Sequence, residues 1–575
     1  MRLGPVRAQS GLLAILSACL WLVSACAPGG PIGGVPAASA PAKPKSLTIG
    51  VTNPLKDIGA LSVRSVGGWG SLPDLHSVGL ITSDFDTPKP VGRLAERVPS
   101  VDDGSISVLA DGRMRVVYRL RHDVTWQDGA PFTAQDLVFT KTFLADPGLP
   151  VTVRQTVQRM GTVEATDDWT AVFYFPQRFF QGSALGLREF WPQPRHLLGE
   201  AYDRYVASGS PDELLRLPYW TSDYVNLGPF RVSELDQGAG LTLQAYEGYF
   251  LGRPRIDTIH VRAFEQNVLF SSLLAGAVDF FPMEALDPEE GAQLQERWRA
   301  VRQGTVYTLE GPAYFLSPQV RPAVQREPAI LDVRVRQALY QAIDRDALAL
   351  REFVLPAWSV MPPNDRLYEA TRDGLRRHPF DPARSRAILQ ELGWSPGGDG
   401  ILHHSSDGRA FQTTIGTVDS GRLWELATYA DAWRRIGVEV EERQTSPAQA
   451  RDLEFRASYP GWDATSAGQG DALLNRLQGP AASAANRWGG NRGGYEDPAA
   501  ERLLARYYAG LSEQERFDAM HDISEFVATT LPMLITYYIT YHAGVRQGVR
   551  ALQDMAGWEQ SYGTITRNAH LWEID

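Results

Sequence analysis

Reactive side chains in this chain are carboxylates, arginines, histidines and aromatic rings, because its two cysteines, Cys19 and Cys26, both fall within the first 26 residues. The remaining body therefore has neither a disulfide nor a thiolate zinc site to draw on. It contains no Gly-x-x-x-x-Gly-Lys phosphate loop and no His-Glu-x-x-His. Gln237-Gly238-Ala239-Gly240 lacks the rest of a dinucleotide fingerprint and reads as a hairpin turn. His403-His404 sits between Asp399-Gly400 and Asp407-Gly408, a pattern that predicts a hairpin. Adjacent strand residues point to opposite faces, so the two imidazoles are poorly placed to share one metal. A glycosidase-type carboxylate pair stays open in an acidic chain, with nothing positive to support it. The expectation is a protein that is not an enzyme, with no metal and no cofactor.

Bulk properties narrow the class. At 575 residues the chain exceeds what one core supports, so several domains are expected. A 43% hydrophobic and 21% charged composition is that of an ordinary globular protein. The 56 basic against 67 acidic residues, a net charge of −11, argue against a nucleic-acid partner.

The N-terminal segment carries an address. Arg2 and Arg7 precede a short apolar run, Gly11 to Leu22, of signal-peptide length. Val23-Ser24-Ala25-Cys26 then resembles the bacterial lipobox, in which the cysteine is acylated and becomes the new N-terminus. Leu16-Ser17-Ala18-Cys19 fits too, but leaves too short an apolar core, so Cys26 is the expected lipidation site. Residues 1–25 are thus read as a lipoprotein signal peptide, and the Ala/Pro/Gly-rich residues 26–46 as a flexible tether. The reading is of an exported protein held by lipid at the outer face of a membrane.

The elements downstream mix strands and helices, giving an α/β (α+β mixed) class. Ile106–Leu109 and Met114–Leu120 flank Asp111-Gly112, and Met114, Val116, Tyr118 and Leu120 share one face, as in a half-buried hairpin. Thr133 stands three residues before Asp136, the spacing of a capping box. Asp332 can cap a helix with an apolar stripe through Val335, Ala338, Leu339, Ala342 and Ile343. Asp381-Pro382 and Asp497-Pro498 each place a capping carboxylate before a proline suited to a first helical turn.

A resemblance joins these pieces. The run from Arg119 to Thr140, with Val124-Thr125-Trp126-Gln127-Asp128-Gly129 and Pro131-Phe132-Thr133-Ala134, resembles the signature of the family 5 solute-binding proteins of ABC importers, the oligopeptide, dipeptide and nickel-binding group. Similar matches follow in order at Pro192–Leu197, Asn226–Val232, Tyr249–Ile256, Leu273–Asp279, Asp332–Arg345, Asp381–Trp394 and Trp433–Val440. The resemblance implies a two-lobed periplasmic-binding-protein-like clamshell with an extra domain and two hinge crossovers. By analogy lobe I is 47–88 with 226–305 and 550–575, the additional domain is 89–225, and lobe II is 306–549.

It also implies a ligand held between the lobes, with protein backbone pairing to it and an Asp meeting an α-ammonium. Gly468-Gln469-Gly470-Asp471 is similar to the family's Gly-Trp-x-x-Asp, with Gln469 in place of Trp and one residue fewer. Asp471 is the candidate amine anchor, against the plainer reading of a loop carboxylate or helix cap. Val78, Gly79 and Leu80 resemble the first-lobe segment whose backbone faces ligand. Trp69, Trp462 and Trp488 lie in Gly-rich or neighbouring segments and are the aromatic candidates, although most of the fifteen Trp are expected in cores. The implied function is capture of a peptide-like solute for the permease subunits of an ABC transporter, by a monomer. An oligosaccharide or metal chelate as solute, a secreted hydrolase and a surface sensor are the alternatives.

Overall fold

The computed structural model describes residues 44–575 except 56, 62–66, 85–88, 152–154, 352, 364, 366, 373–374, 419–421, 469–470, 487 and 551–563. The expected signal peptide, Cys26 and nearly all of the tether lie outside the described residues, as does Gln469.

Local signals become the expected elements. Strands Ile106–Val108 and Met114–Arg119 pair antiparallel, Ile106 opposite Val116, and Met114, Val116 and Tyr118 are wholly buried. Thr133 caps helix α1 (Ala134–Ala145) with both bonds of the capping box, the Thr133 amide donating to Asp136 at 2.9 Å. Asp332 accepts from the Arg334 amide at the start of α4 (Val333–Gln341), and Asp381 from the Arg384 amide at the start of α6 (Pro382–Glu391). Asp497 does the same for α9 (Pro498–Ala509) through the Ala499 amide. Other helices used below are α2 (Arg195–Ser208), α3 (Pro288–Val301), α5 (Arg345–Leu348), α7 (Leu423–Arg434), α8 (Asp471–Leu474) and α10 (Glu513–Thr530).

Among the described residues the largest sheet has eleven strands: β1 (Ser46–Thr52), β2 (Phe230–Asp236), β3 (Gly240–Ala245), β4 (Thr258–Phe264), β5 (Phe280–Phe281), β6 (Gly304–Pro318), β7 (Val354–Pro356), β8 (Gln412–Thr417), β9 (Glu439–Gln444), β10 (Trp462–Ala467) and β11 (Leu534–Arg546). Its order is β9-β8-β10-β6-β11-β5-β1-β4-β3-β2, with β7 laid against β11. The Gln237–Ala239 stretch is the expected hairpin turn, closing β2 on β3 with Asp236 opposite Gly240.

This order makes the fold two-lobed. One half, β2-β3-β4-β1-β5, is drawn from residues 46–281, and the other, β9-β8-β10 with β7, from residues 354–467. Only β6 and β11 belong to both. The chain leaves the first half along β6 and returns along β11, antiparallel, from Gly304 opposite Arg546 to Leu316 opposite Leu534. At the first end Asp279 fixes the return strand, accepting from the Thr48 amide at 2.8 Å and pairing with Arg546 at 2.5 Å.

Between the halves the pairing slips: the register shifts between Glu310 and Ala313. Gly311 and Pro312 occupy the slip. A Cβ on Gly311 would come within 2.7 Å of the Tyr541 ring, and Pro312 has no amide to offer the ladder. A second shift lies between Tyr314 and Phe315, so the two-strand bridge pairs irregularly over 310–315.

A separate four-stranded sheet, in the order Ile106–Val108, Met114–Arg119, Thr170–Phe175, Val163–Asp167, packs against α1, which in turn packs against α2. This region also reaches the second half of the chain. Phe180 stacks on Tyr508 at 6.3 Å, the Arg159 guanidinium lies 4.2 Å from the Tyr508 ring centre, and Arg178 pairs with Glu515 at 2.9 Å.

Candidate ligand-binding site

Two segments expected to face a solute occupy different halves of the molecule. In the first half, residues 76–80 run through a packed interior. His76 is buried against Trp191 and Tyr224, its Nδ1 3.0 Å from the Ser77 hydroxyl, and burial pushes its imidazole down to about 3. Val78 and Leu80 are also buried. Gly79 has no room for a side chain, because a Cβ there would stand 2.3 Å from the Leu187 nitrogen. The Gly79 carbonyl accepts from Leu94, and the Leu80 carbonyl from Arg93 and Ala95. The amides of Val78, Gly79 and Leu80 make no backbone hydrogen bond among the described residues, so the donors, rather than the acceptors, are spare.

Trp69 opens the short helical turn Trp69–Ser71 and is buried, its indole N–H donating to the carbonyl of Asn53, just past β1, at 2.7 Å. That ring closes the β1 connection, and its polar handle is already in use.

In the second half the site is built from β10 outward. Alternation along the strand sends Trp462 and Ala464 into the core, where the Trp462 ring, with no exposed surface, lies 5.2 Å from Trp433 of α7. Trp462 is therefore a packing residue. Asp463 and Thr465 share the opposite face. Asp463 pairs with Arg492 at 3.2 Å, both side chains being more than nine-tenths buried, and the same guanidinium donates to the Thr465 hydroxyl. Arg476, partly buried, reaches the Ser466 carbonyl at 3.5 Å; burial and then the nearby Arg492 bring it down to about 10. Tyr459 donates to Ser317 at 3.2 Å, and burial, reinforced by Asp463, pushes its phenol up.

One buried carboxylate thus pairs with one guanidinium and lies close to a second. Sequence reasoning missed this cluster. Its one visible signal was the polar alternation Asp463, Thr465 inside an otherwise apolar strand.

Gly468 is exposed at the end of β10, and Asp471 begins α8, its side chain lying outside the described residues. Trp488 is half-buried in the following loop, with φ +57 and its amide donating to the Ser483 carbonyl at 2.8 Å. Gly468, Asp471 and Trp488 thus belong to the second half of the chain, and Val78, Gly79 and Leu80 to the first.

The histidine doublet is elsewhere. His403 lies 3.0 Å from Asp399, while His404 packs edge-on to Trp394 at 4.9 Å and contacts the Ser406 hydroxyl at 2.7 Å. Its strand, Leu402–His404, pairs with Trp394–Pro396. Among the described residues no three His, Cys, Asp or Glu side chains group as metal ligands.

Comparison with known proteins gives concordant matches. Residues 89–485 match the model of the bacterial extracellular solute-binding proteins, family 5 Middle. The chain is 24% identical over 363 residues to the oligopeptide-binding protein AppA of Bacillus subtilis, covering 61% of this chain and 62% of that relative. It spans about three fifths of that protein's length. Among solved structures it is similar to the oligopeptide-binding protein of Thermus thermophilus complexed with pentapeptide, at 20% identity and a TM-score of 0.71 over 92% of this chain and 96% of that one. NikZ from Campylobacter jejuni in complex with Ni(L-His) matches with a TM-score of 0.69 at 17% identity, over 92% and 99% of the two chains. At these identities the structural matches speak to fold alone.

Proposed function

The chain belongs to the family 5 extracellular solute-binding proteins of bacteria, and from that premise we propose that it captures a peptide-like solute between its lobes and presents it to an ABC-importer permease. Membership makes it a solute-binding protein and not an enzyme. The observation that carries the proposal further is the pair of strands β6 and β11, among the described residues the only ones shared by both sheet halves, with Gly311-Pro312 at their register shift. A body joined in this way can close on a guest and be read in its closed shape, provided the guest binds the closed form more tightly.

Lobe I comprises 47–88, 226–305 and 550–575, lobe II comprises 306–549, and 89–225 is a domain attached to lobe I. The spare amides of Val78, Gly79 and Leu80 donate to the ligand backbone, as an added strand would. Gly468, Gln469 and Asp471 face them from lobe II, with Asp471 as the amine anchor and Trp488 leaning over the guest. Trp69 and Trp462 hold these segments from behind. Peptide-binding relatives by name favour a peptide over an oligosaccharide or a metal chelate. Cys26 carries the lipid, and residues 26–46 tether a monomeric body outside the membrane.

A thermal-shift screen over pentapeptides, oligosaccharides and nickel chelates tests the reading, with stabilisation expected from peptides. Asp471→Asn should weaken the best peptide at least tenfold, about 1.4 kcal/mol; unchanged affinity removes that residue from the site. Stabilisation by a sugar or a chelate alone would replace the solute class.

A further inference from the structure

The 89–225 region is fastened to the two halves of the molecule in different ways. Towards the first half it uses main chain. The Ile81 amide donates to the Leu185 carbonyl, the Gln127 amide to Asn226, and the Arg93 and Leu94 amides to Leu80 and Gly79. The buried Gln127 side chain adds bonds to the Gly228 and Phe230 carbonyls at 2.9 and 2.8 Å. Towards residues 306–549 no main-chain hydrogen bond crosses among the described residues. There Arg159 bonds to Gln478 and Arg178 to Glu515, side chain to side chain, and the rest is ring against ring. The second kind of contact can part without leaving main-chain groups unpaired, and the first cannot. Separation of the lobes therefore runs through the ring face.

That face has an apolar middle. Phe179, Tyr507 and Tyr508 are buried, and Phe180 meets Tyr507 edge-on at 5.3 Å. Arg159, half-buried at the end of the short helix Gln155–Arg159, enters it from the side. Its guanidinium lies 4.2 Å from the Tyr508 centre and 5.4 Å from that of Phe179. A cation partly withdrawn from water over two rings outweighs the exposed Arg178–Glu515 pair, which solvent screens. The same guanidinium donates to the Gln478 carbonyl oxygen at 3.1 Å, and the Gln478 amide nitrogen donates onward to Asn475. Asn475 opens the turn Asn475–Leu477 directly after α8, the helix that Asp471 begins. Leu473, Leu474 and Leu477 share the apolar cluster of Phe179 and Tyr508, not that of Trp433 and Trp462. The stretch from α8 to Gln478 is thus packed with the ring face rather than with the core behind β10.

We propose that Arg159 is a positioning residue for solute capture, seating the 471–478 stretch while the rings of the 89–225 region clasp α9 as the lobes close. The inference rests on the hinged solute-binding reading above. The clasp exists only in the closed form, so its free energy adds there to that of the ligand contacts and slows release. Solute affinity is then set partly from outside the cleft.

Stopped-flow peptide release and small-angle scattering on the whole protein test it. Arg159→Met should release a bound pentapeptide about threefold faster than wild type. It should also enlarge the radius of gyration of the free protein, and saturating peptide should restore the wild-type value. Arg159→Lys, which keeps a cation at the rings without the planar fork, should fall between the two. Arg178→Ala should change neither reading, because that pair is exposed. Should Arg159→Met fail to fold, Gln478→Leu, which removes only the acceptor, carries the same expectation. Equal release rates and equal scattering in variant and wild type would overturn the clasp, even if the unfolding midpoint fell. Should no peptide bind the wild type, the solute reading falls, and the scattering of the free proteins alone decides the clasp.

Discussion

Two buried charge clusters in the second half of the chain are built on opposite plans. Behind the sheet, Glu425 of α7 has no exposed surface and accepts from Arg422 at 2.6 Å and from the Tyr429 and Tyr537 hydroxyls at 2.9 Å each. Arg422 lies 4.0 Å from the centre of the Tyr314 ring, and Tyr314 stacks on Tyr537 at 4.8 Å. Each carboxylate oxygen has a donor and one acid faces one guanidinium, although the Arg422 Nη2 makes no hydrogen bond among the described residues. In front, Asp463 pairs with Arg492 at 3.2 Å with the Arg476 guanidinium close by, and the Arg492 Nε is buried without a hydrogen-bond partner among the described residues. The first network fixes β6, β11 and α7 to one another, and the second ties β10 to the loop that carries Arg492.

The comparison breaks most sharply at Glu425. Glu425→Gln strands Arg422 in the interior without its counter-charge, and a loss of about 3–5 kcal/mol is expected in urea unfolding. A loss below about 1 kcal/mol would mean that the network is not supporting the fold.

A second contrast concerns pH. His76 is held at about 3 in the fold against 6.5 when free. The unfolded chain therefore takes up the proton as pH falls, so stability is intact above 6.5 and is lost through the window from 6.5 down toward 3. Between pH 7 and 5 this one residue accounts for about 2 kcal/mol. His76→Phe should flatten the stability profile by that amount, leaving the similar contribution of His570, also pushed down to about 3 by burial. An unchanged slope would show that His76 is open to water.

The smallest effect belongs to the surface ion pair between the 89–225 region and α10. Arg178 and Glu515 are 39% and 48% exposed, so Arg178→Ala should cost under about 1 kcal/mol and the cost should vanish in high salt. A larger, salt-insensitive loss would make that contact part of the core.

Legibility in the sequence followed locality. The capping box at Thr133, the caps at Asp332, Asp381 and Asp497 and the hairpin at Asp111-Gly112 are decided within a few residues, and the structure shows each of them. The order of the large sheet is a long-range matter, in which β1 pairs with a strand more than two hundred residues away. Here the family resemblance supplied what periodicity could not. Single-residue burial was the least legible. Trp462 and Asp463 are neighbours, yet one enters the core and the other faces the arginines, and that assignment depends on which side of β10 α7 packs. Arg345, Arg476 and Arg492 gave no signal, since arginine is rarely buried and nothing local marks the exceptions.

The hinge can be watched directly. Once the N-terminal segment with Cys19 and Cys26 is removed no cysteine remains, so Val206→Cys and Leu350→Cys, both at exposed positions, accept a dye pair on either side of the β6–β11 bridge. Single-molecule energy transfer should show two exchanging populations, with a stabilising pentapeptide moving molecules from one to the other. One unchanging population, seen with the peptide demonstrably bound, would contradict closure about these two strands.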